Sequence, residues 1–288
     1  MRINNLELFP LDYLPQDVQH IVSGLDVAQT TFIGNPEYLG VSVYAQDGVN
    51  TFLYAPSFFY GIADYGDIPG LQFTYPPSTL VGGTGDDVLW GGNADDTLRG
   101  GEGSDAIFGN DGDDYIEGGD GDDFIYGGTG DDIIFGQLGA DIIETGGGAD
   151  DIRFDVEDSL IGSADHVTDF NANQDAFYLM TFSKDNWDYD LGSRQPSDIT
   201  ETSGVAGSQQ AVADLAVFSG MTHEDDYYAP EPEVSVIEIT GGALAGTDWL
   251  AVDFDDDGIA DSLVDITGYT GVITADNFGD YWTDELPL

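Results

Sequence analysis

The sequence predicts an all-β chain: a central stack of short parallel coils flanked by small β-rich units. Three observations carry this. From residue 82 to 153, glycine supplies 21 of 72 residues and acids supply 19. The same stretch divides into eight lines of nine, with Asp at every sixth place and an aliphatic residue at every eighth. Outside it, short runs rich in β-branched and aromatic residues alternate with Gly and Pro turns, which is how strands read.

The chain has three parts. Residues 1–81 hold only 8 acids, many aromatics and strand-like runs such as LGVSVYA and NTFLYA, and read as a small β-rich unit. A short helix is expected near Pro15 to Leu25. Residues 82–153 are the array. Residues 154–288 hold 29 acids, loop-like stretches (SRQPSDITETSG, THEDDYYAPEPE) and strand-like ones (VSVIEIT, DWLAVDF, SLVDITG), and read as an array-closing segment and a β-rich C-terminal region.

Charge excludes several functions. With 56 acids against 5 Lys plus Arg, the 288-residue chain has a formal net charge of -51. It lacks the basic patch that nucleic acid requires, and an anionic membrane surface would repel it. No cysteine means no disulfide and no thiolate metal site. No run reaches the length of a transmembrane helix. The first residues, MRINNLELFPLDYLPQD, lack the apolar core of a secretory signal, so the expectation is a cytoplasmic chain or export that does not read the N-terminus.

The lines are GGTGDDVLW, GGNADDTLR, GGEGSDAIF, GNDGDDYIE, GGDGDDFIY, GGTGDDIIF, GQLGADIIE and TGGGADDIR. A period of nine fits a turn of six residues followed by a strand of three. Side chains alternate along a strand, so the eighth place faces inward: Leu89, Leu98, Ile107, Ile116, Ile125, Ile134, Ile143 and Ile152. Successive strands then lie on opposite walls, and two lines make one coil. A flexible Gly/Asp linker has no reason to keep an aliphatic residue at every ninth position.

The turns carry the chemistry. Asp87, Asp105, Asp123 and Asp141 would form one column, and Asp96, Asp114, Asp132 and Asp150 the other. Carboxylates stacked this closely repel, and the fifth-place acids Asp86, Asp95, Asp113, Asp122 and Asp131 add to the repulsion. A hard divalent cation between turns relieves it. Calcium takes six to eight oxygens and mixes carboxylates with backbone carbonyls, whereas magnesium demands a small octahedron and keeps its water. Each ion needs a turn above and below, so two columns of four Asp offer about six calcium sites.

These lines resemble the calcium repeat GGxGxDxUx of RTX (repeats-in-toxin) hemolysin-type proteins. The segment ADHVTDFNANQDAFYL, residues 164–179, resembles the one that closes such arrays, and LAVDFDDDGIADSLVDITGYTG resembles the β-structured tail of bacterial RTX proteins. The resemblance implies a right-handed β-roll, calcium-driven folding, and a C-terminal signal read by type I secretion machinery. It therefore implies an extracellular or cell-surface location. It makes the sixth-place Asp residues calcium ligands and the carbonyls of places one, three and five their companions. The array departs from the pattern at Ala94 (place four), Asn110 and Gln137 (place two) and Thr145 (place one). The middle turns, Asp105 to Asp132, are expected to bind best.

A further calcium loop is expected at Asp253, Asp255, Asp257 and Asp261, spaced DxDxDGxxD. Val264 stands where an EF-hand needs a bidentate Glu, so the loop is not an EF-hand but a smaller turn. His20, His166 and His223 lie far apart, HEDDY is not HExxH, and no GxSxG elbow, phosphate loop or dinucleotide fingerprint occurs. The irregular, charged third and fifth places do not make an ice-binding row. At the ninth place Trp90, Phe108 and Tyr126 share a wall and point outward. Such a column would meet a glycan, a cell-surface partner or, more simply, the chain's own flanks. The leading functional expectation is a secreted calcium-binding protein with a structural, adhesion or matrix role. The alternative is a secreted calcium-dependent hydrolase whose active site lies outside the repeats, in 1–81 or 180–288.

Overall fold

Every line of nine contributes one strand and one turn. The computed structural model describes residues 31–34, 42–44, 51–54, 77–155, 158–181, 192–193, 196, 199–218, 232–255, 257–279 and 281–282. Strand β4 (Thr79–Thr84) leads into β5 (Val88–Gly92), β6 (Thr97–Glu102), β7 (Ala106–Asp111), β8 (Tyr115–Asp120), β9 (Phe124–Thr129), β10 (Ile133–Leu138), β11 (Ile142–Gly147) and β12 (Asp151–Asp155). Most strands are six residues long, not the expected three. They run through places seven to nine and on through places one to three of the next line, leaving only places four to six outside. The expectation failed because it read the glycines of places one and two as turn formers. They bend the chain without ending it, so each bend pairs with the same bend on the next coil: Arg99 with Glu117, then Gly101 with Gly119.

Alternate strands take opposite walls, as the period requires. β5, β7, β9 and β11 are neighbours in one sheet and β4, β6, β8, β10 and β12 in the other, each pair parallel. All eight eighth-place residues are 0 % exposed and form the double row between the walls. No single coil could bury that row; stacking does it collectively.

The ladders continue beyond the array. β2 (Ser42–Tyr44) pairs with β4, and β1 (Thr31–Gly34) reaches β5 through β3 (Thr51–Tyr54), all parallel. On the other side β13 (His166–Val167) follows β11 and β14 (Ala176–Thr181) follows β12. β13 then pairs with β19 (Ser262–Asp265), and that sheet continues through β18 (Asp248–Asp253) and β17 (Glu233–Gly241) to β16 (Ile199–Val205). β16 corrects the loop reading of SRQPSDITETSG. Its half-exposed, Thr-rich register on β17 buries too few side chains to announce a strand in the sequence. The runs VSVIEIT, DWLAVDF and SLVDITG are strands as expected. The helix expected near residues 15–25 and residues 222–231 of the stretch THEDDYYAPEPE lie outside the described residues; the last residue of that stretch, Glu233, opens β17.

One apolar core serves the roll and the C-terminal sheet together. Ile143, Ile152 and Phe154 pack in one cluster with Phe177, Leu250, Val264 and Phe278. Phe170 stacks on Phe177, with centroids 4.2 Å apart. A second cluster packs helix α1 (Gln209–Ala213), capped by Ser208, against β17 and β18.

Place two has positive φ in all eight lines, including the non-glycine residues Asn110 (83°) and Gln137 (69°). Gln137 therefore keeps its turn at a conformational cost. At Gly119 (φ 121°) a methyl group would overlap the carbonyl oxygen of Gly101, whereas one at Gly147, in the third place, would meet nothing within 4 Å. Gly119→Ala should lose at least ~1–2 kcal/mol from the left-handed backbone alone, with a matching fall in thermal midpoint at saturating calcium. Gly147→Ala should stay within ~0.5 kcal/mol of the unsubstituted protein.

Candidate metal centre

The turns at places four to six stack in two columns, and seven of the eight sixth-place carboxylates link one coil to the one before it. Asp105 Oδ1 accepts the backbone N–H of Asp87 at 2.7 Å, Asp123 that of Asp105 at 2.7 Å, and Asp141 that of Asp123 at 2.8 Å. In the other column Asp96 accepts from Ser78, Asp114 from Asp96, Asp132 from Asp114, and Asp150 from Asp132. Each of these bonds points one coil back. The fifth-place acids do the reverse: Asp86, Asp95, Asp113, Asp122 and Asp131 accept the N–H of the fifth place one coil ahead. Expected to add only repulsion, they also tie the coils together, because Oδ1 can reach a neighbouring amide that has no ladder partner.

The second sixth-place oxygen is treated differently. All eight sixth-place Asp residues are at most 3 % exposed. Oδ2 of Asp96, Asp105, Asp114, Asp123, Asp132, Asp141 and Asp150 is buried and receives no hydrogen bond among the described residues. A buried carboxylate oxygen without a partner is costly and calls for a proton or a cation. The acidities reflect this. Burial, opposed by the backbone N–H and reinforced by column neighbours, pushes Asp123 up to about 9 and Asp114 to about 8. Asp105, Asp132, Asp141 and Asp150 rise to about 7, and Asp96 to about 6, with burial again the leading cause.

Backbone oxygens converge on the same spots. A methyl group on Gly82 would lie 2.6 Å from Asp87 Oδ2 and 2.5 Å from Gly100 O; one on Gly127 would lie 2.5 Å from both Asp132 Oδ2 and Thr145 O. The missing side chain at place one thus leaves room for a carboxylate oxygen beside the place-one carbonyl of the next coil. Third-place carbonyls already accept inter-coil bonds, as Glu102 O does from Gly85 and Asp120 O from Gly103. An all-oxygen donor set of anionic carboxylates and neutral carbonyls, repeated at every step, suits calcium.

The family comparison agrees with this geometry. The model of the RTX calcium-binding nonapeptide repeat matches four times, at residues 78–107, 99–134, 108–143 and 117–152. The chain carries RTX calcium-binding repeats. Its RTX array forms a β-roll, and calcium is its cofactor. No curated protein matches the chain. Among the described residues no helix is long and apolar enough to cross a membrane.

The departures in the RTX array are absorbed locally. Asn110 and Gln137 adopt the left-handed backbone of the glycines they replace, whereas Ala94 keeps out of it. Thr145 is fully buried; its N–H and hydroxyl both bond Asp169 Oδ1, and Gly146 N–H bonds Asp169 Oδ2. At the ninth place Phe108 is buried, not outward. It packs between Trp90 (5.2 Å) and Phe124 (5.8 Å), because the wall's aromatic side chains lean on one another. On the opposite wall Arg99 pairs with Glu117 at 2.7 Å, and the buried Arg153 lies over the rings of Phe135 and Tyr178.

Sequence reasoning missed how the columns continue. Asp141 N–H bonds Asp165 Oδ1 at 2.9 Å, and Asp150 N–H bonds Asp175 Oδ1 at 3.3 Å. The steps are 24 and 25 residues instead of 18, which breaks the register that betrayed the other eight. The available signal was the triplet of Asp, any residue, then a buried apolar one: Asp165 with Val167, Asp175 with Phe177.

Of the four acids in the 253–261 turn, three converge. Oxygens of Asp253, Asp255 and Asp261 lie within 4.8 Å of one another. Asp257 stands outside that group, and its Oδ1 accepts the N–H of Ile259. Asp253 is buried and accepts from Gly258 at 2.7 Å, and Asp261 accepts from Phe254 at 2.8 Å. His166 Nε2 lies 4.0 Å from Asp265 Oδ1.

Proposed function

We propose that the protein is a secreted or cell-surface calcium-loaded module with a structural role in adhesion or matrix, and that calcium drives the folding of its RTX array. The columns of buried sixth-place carboxylates carry this reading, seven of them, Asp96, Asp105, Asp114, Asp123, Asp132, Asp141 and Asp150, having a bare Oδ2 among the described residues. Asp87, Asp96, Asp105, Asp114, Asp123, Asp132, Asp141 and Asp150 would hold the ions, joined by place-one carbonyls. Bound calcium would supply the positive charge that these buried oxygens lack. Extracellular calcium modules bind at about 10⁻⁴–10⁻³ M. A roll of that affinity would stay open where calcium is scarce and close where it is abundant, which suits a protein that is exported first and folded outside. RTX calcium-binding repeat proteins are typically secreted.

Calorimetric titration of the full chain with calcium tests the site assignment. An inner Asp borders two ions, and an array-terminal one borders fewer. Asp114→Asn and Asp123→Asn should therefore lower both ion number and affinity more than Asp150→Asn. Equal losses at all three positions would contradict shared sites between stacked turns.

A further inference from the structure

The two columns end differently. In the second, Asp175 spends both oxygens on backbone donors: Oδ1 on Asp150 N–H at 3.3 Å and Oδ2 on Asn171 N–H at 2.7 Å. That column is closed by its own chain. In the first, Asp165 repeats the pattern of the array. Its Oδ1 takes the N–H of Asp141 at 2.9 Å, while its Oδ2 is buried and receives no hydrogen bond among the described residues. Asp165 is 0 % exposed, as buried as any carboxylate in the array. Asp141, on the facing turn, has the same bare Oδ2. The nearby charges, Asp141 and Asp158, are both acidic, and burial with their repulsion holds Asp165 well above the usual carboxylate range. Among the described residues no basic side chain forms an ion pair with it.

We propose that Asp165 is an additional calcium ligand, closing a site with Asp141 beyond the last nonapeptide and fastening the roll to the C-terminal sheet. The inference rests on the reading that the sixth-place Asp residues of the array bind calcium. What distinguishes this site is its location. Asp165 N–H bonds Ser159 Oγ at 2.7 Å, and Ser159 Oγ bonds Leu263 O at 2.8 Å. Asp265 N–H bonds Asp165 O at 2.8 Å, where β13 meets β19 through the single pair His166 and Asp265. An ion here binds one turn from the array and one from the junction. The C-terminal sheet would then dock by the same device that stacks the coils.

The experiment counts calcium by calorimetry on four full-length proteins: unsubstituted, Asp123→Asn, Asp165→Asn and Asp175→Asn. Asp165→Asn should bind one ion fewer than the unsubstituted protein, and Asp175→Asn the same number. Crystals of the unsubstituted protein grown with terbium should show an anomalous peak within ligand distance of Asp165 Oδ2. That measurement decides the matter even if Asp165→Asn does not fold. Loss of ions in Asp123→Asn but none in Asp165→Asn, or a terbium-loaded array with no peak at Asp165, overturns the junction site and leaves the array reading standing. No calcium bound by any of the four proteins overturns both.

Discussion

Adding a chelator to the calcium-loaded protein should remove most of its β-sheet circular dichroism in one cooperative step, and restoring calcium at or below about a millimolar should return it. The driving force is electrostatic. Neighbouring charges in a column, at a strand spacing of ~4.8 Å, repel by ~0.9 kcal/mol in water and ~3.5 kcal/mol at an effective dielectric of 20. Every step of both columns carries that penalty, within a chain whose formal net charge is -51. Against it the array sets eight inward aliphatic side chains and its ladder bonds. Binding free energy then becomes folding free energy, as in other metal-coupled domains. Magnesium at equal concentration should restore much less signal, and a variant lacking residues 82–153 should lose most of the response. A chelated protein that keeps its full β signal at low salt would refute calcium-driven folding.

Acid should partly replace calcium. In the metal-free roll, burial lifts the sixth-place carboxyls of Asp96, Asp105, Asp114, Asp123, Asp132, Asp141 and Asp150 from 3.8 to values between about 6 and about 9. The folded state therefore holds protons that the unfolded state has released. Folding takes up protons, so the stability of the chelated roll is greatest below the unfolded pKa and is lost as pH rises through the folded values. Chelated protein at about pH 5 should show more β signal and a higher thermal midpoint than at about pH 8. In calcium the sign reverses, because protons compete with the ion for the same Oδ2 atoms, so calcium affinity should fall as pH drops. A chelated protein whose stability rises from pH 5 to pH 8 would mean that these carboxyls are not buried without metal.

The coils, their alternation between walls and the inward row were legible because the array repeats without interruption. One Asp and one aliphatic residue in every nine fix both the columns and the core. Strand length was not legible, since Gly100 and Gly101 have no side chain to report whether they sit in a ladder or a turn. The fifth-place acids were read only as charges, because sequence cannot show Asp113 Oδ1 reaching the amide of Asp131. Asp165 and Asp175 were hidden by their spacing. Asp150 to Asp165 spans fifteen residues instead of nine, an excess that falls within both long steps, and Asp165 to Asp175 spans ten, so the final carboxylates fall out of phase with the rest. The 253–261 turn shows the converse. Its spacing pointed to four acids acting together, whereas the backbone draws Asp257 aside to hold Ile259.

The opposed carboxylate bonds bear on how such a gene can change. A sixth-place Asp reaches one coil back and a fifth-place Asp one coil ahead, both across 18 residues. Duplicating or deleting a whole coil preserves every donor and acceptor along the seam. Removing a single line of nine sends all downstream strands to the opposite wall. His166 would then arrive on the sheet that lacks β19, and the C-terminal region would lose its mooring. Viable length variants should therefore differ by even numbers of nonapeptides, a grammar imposed by the two-walled cross-section alone.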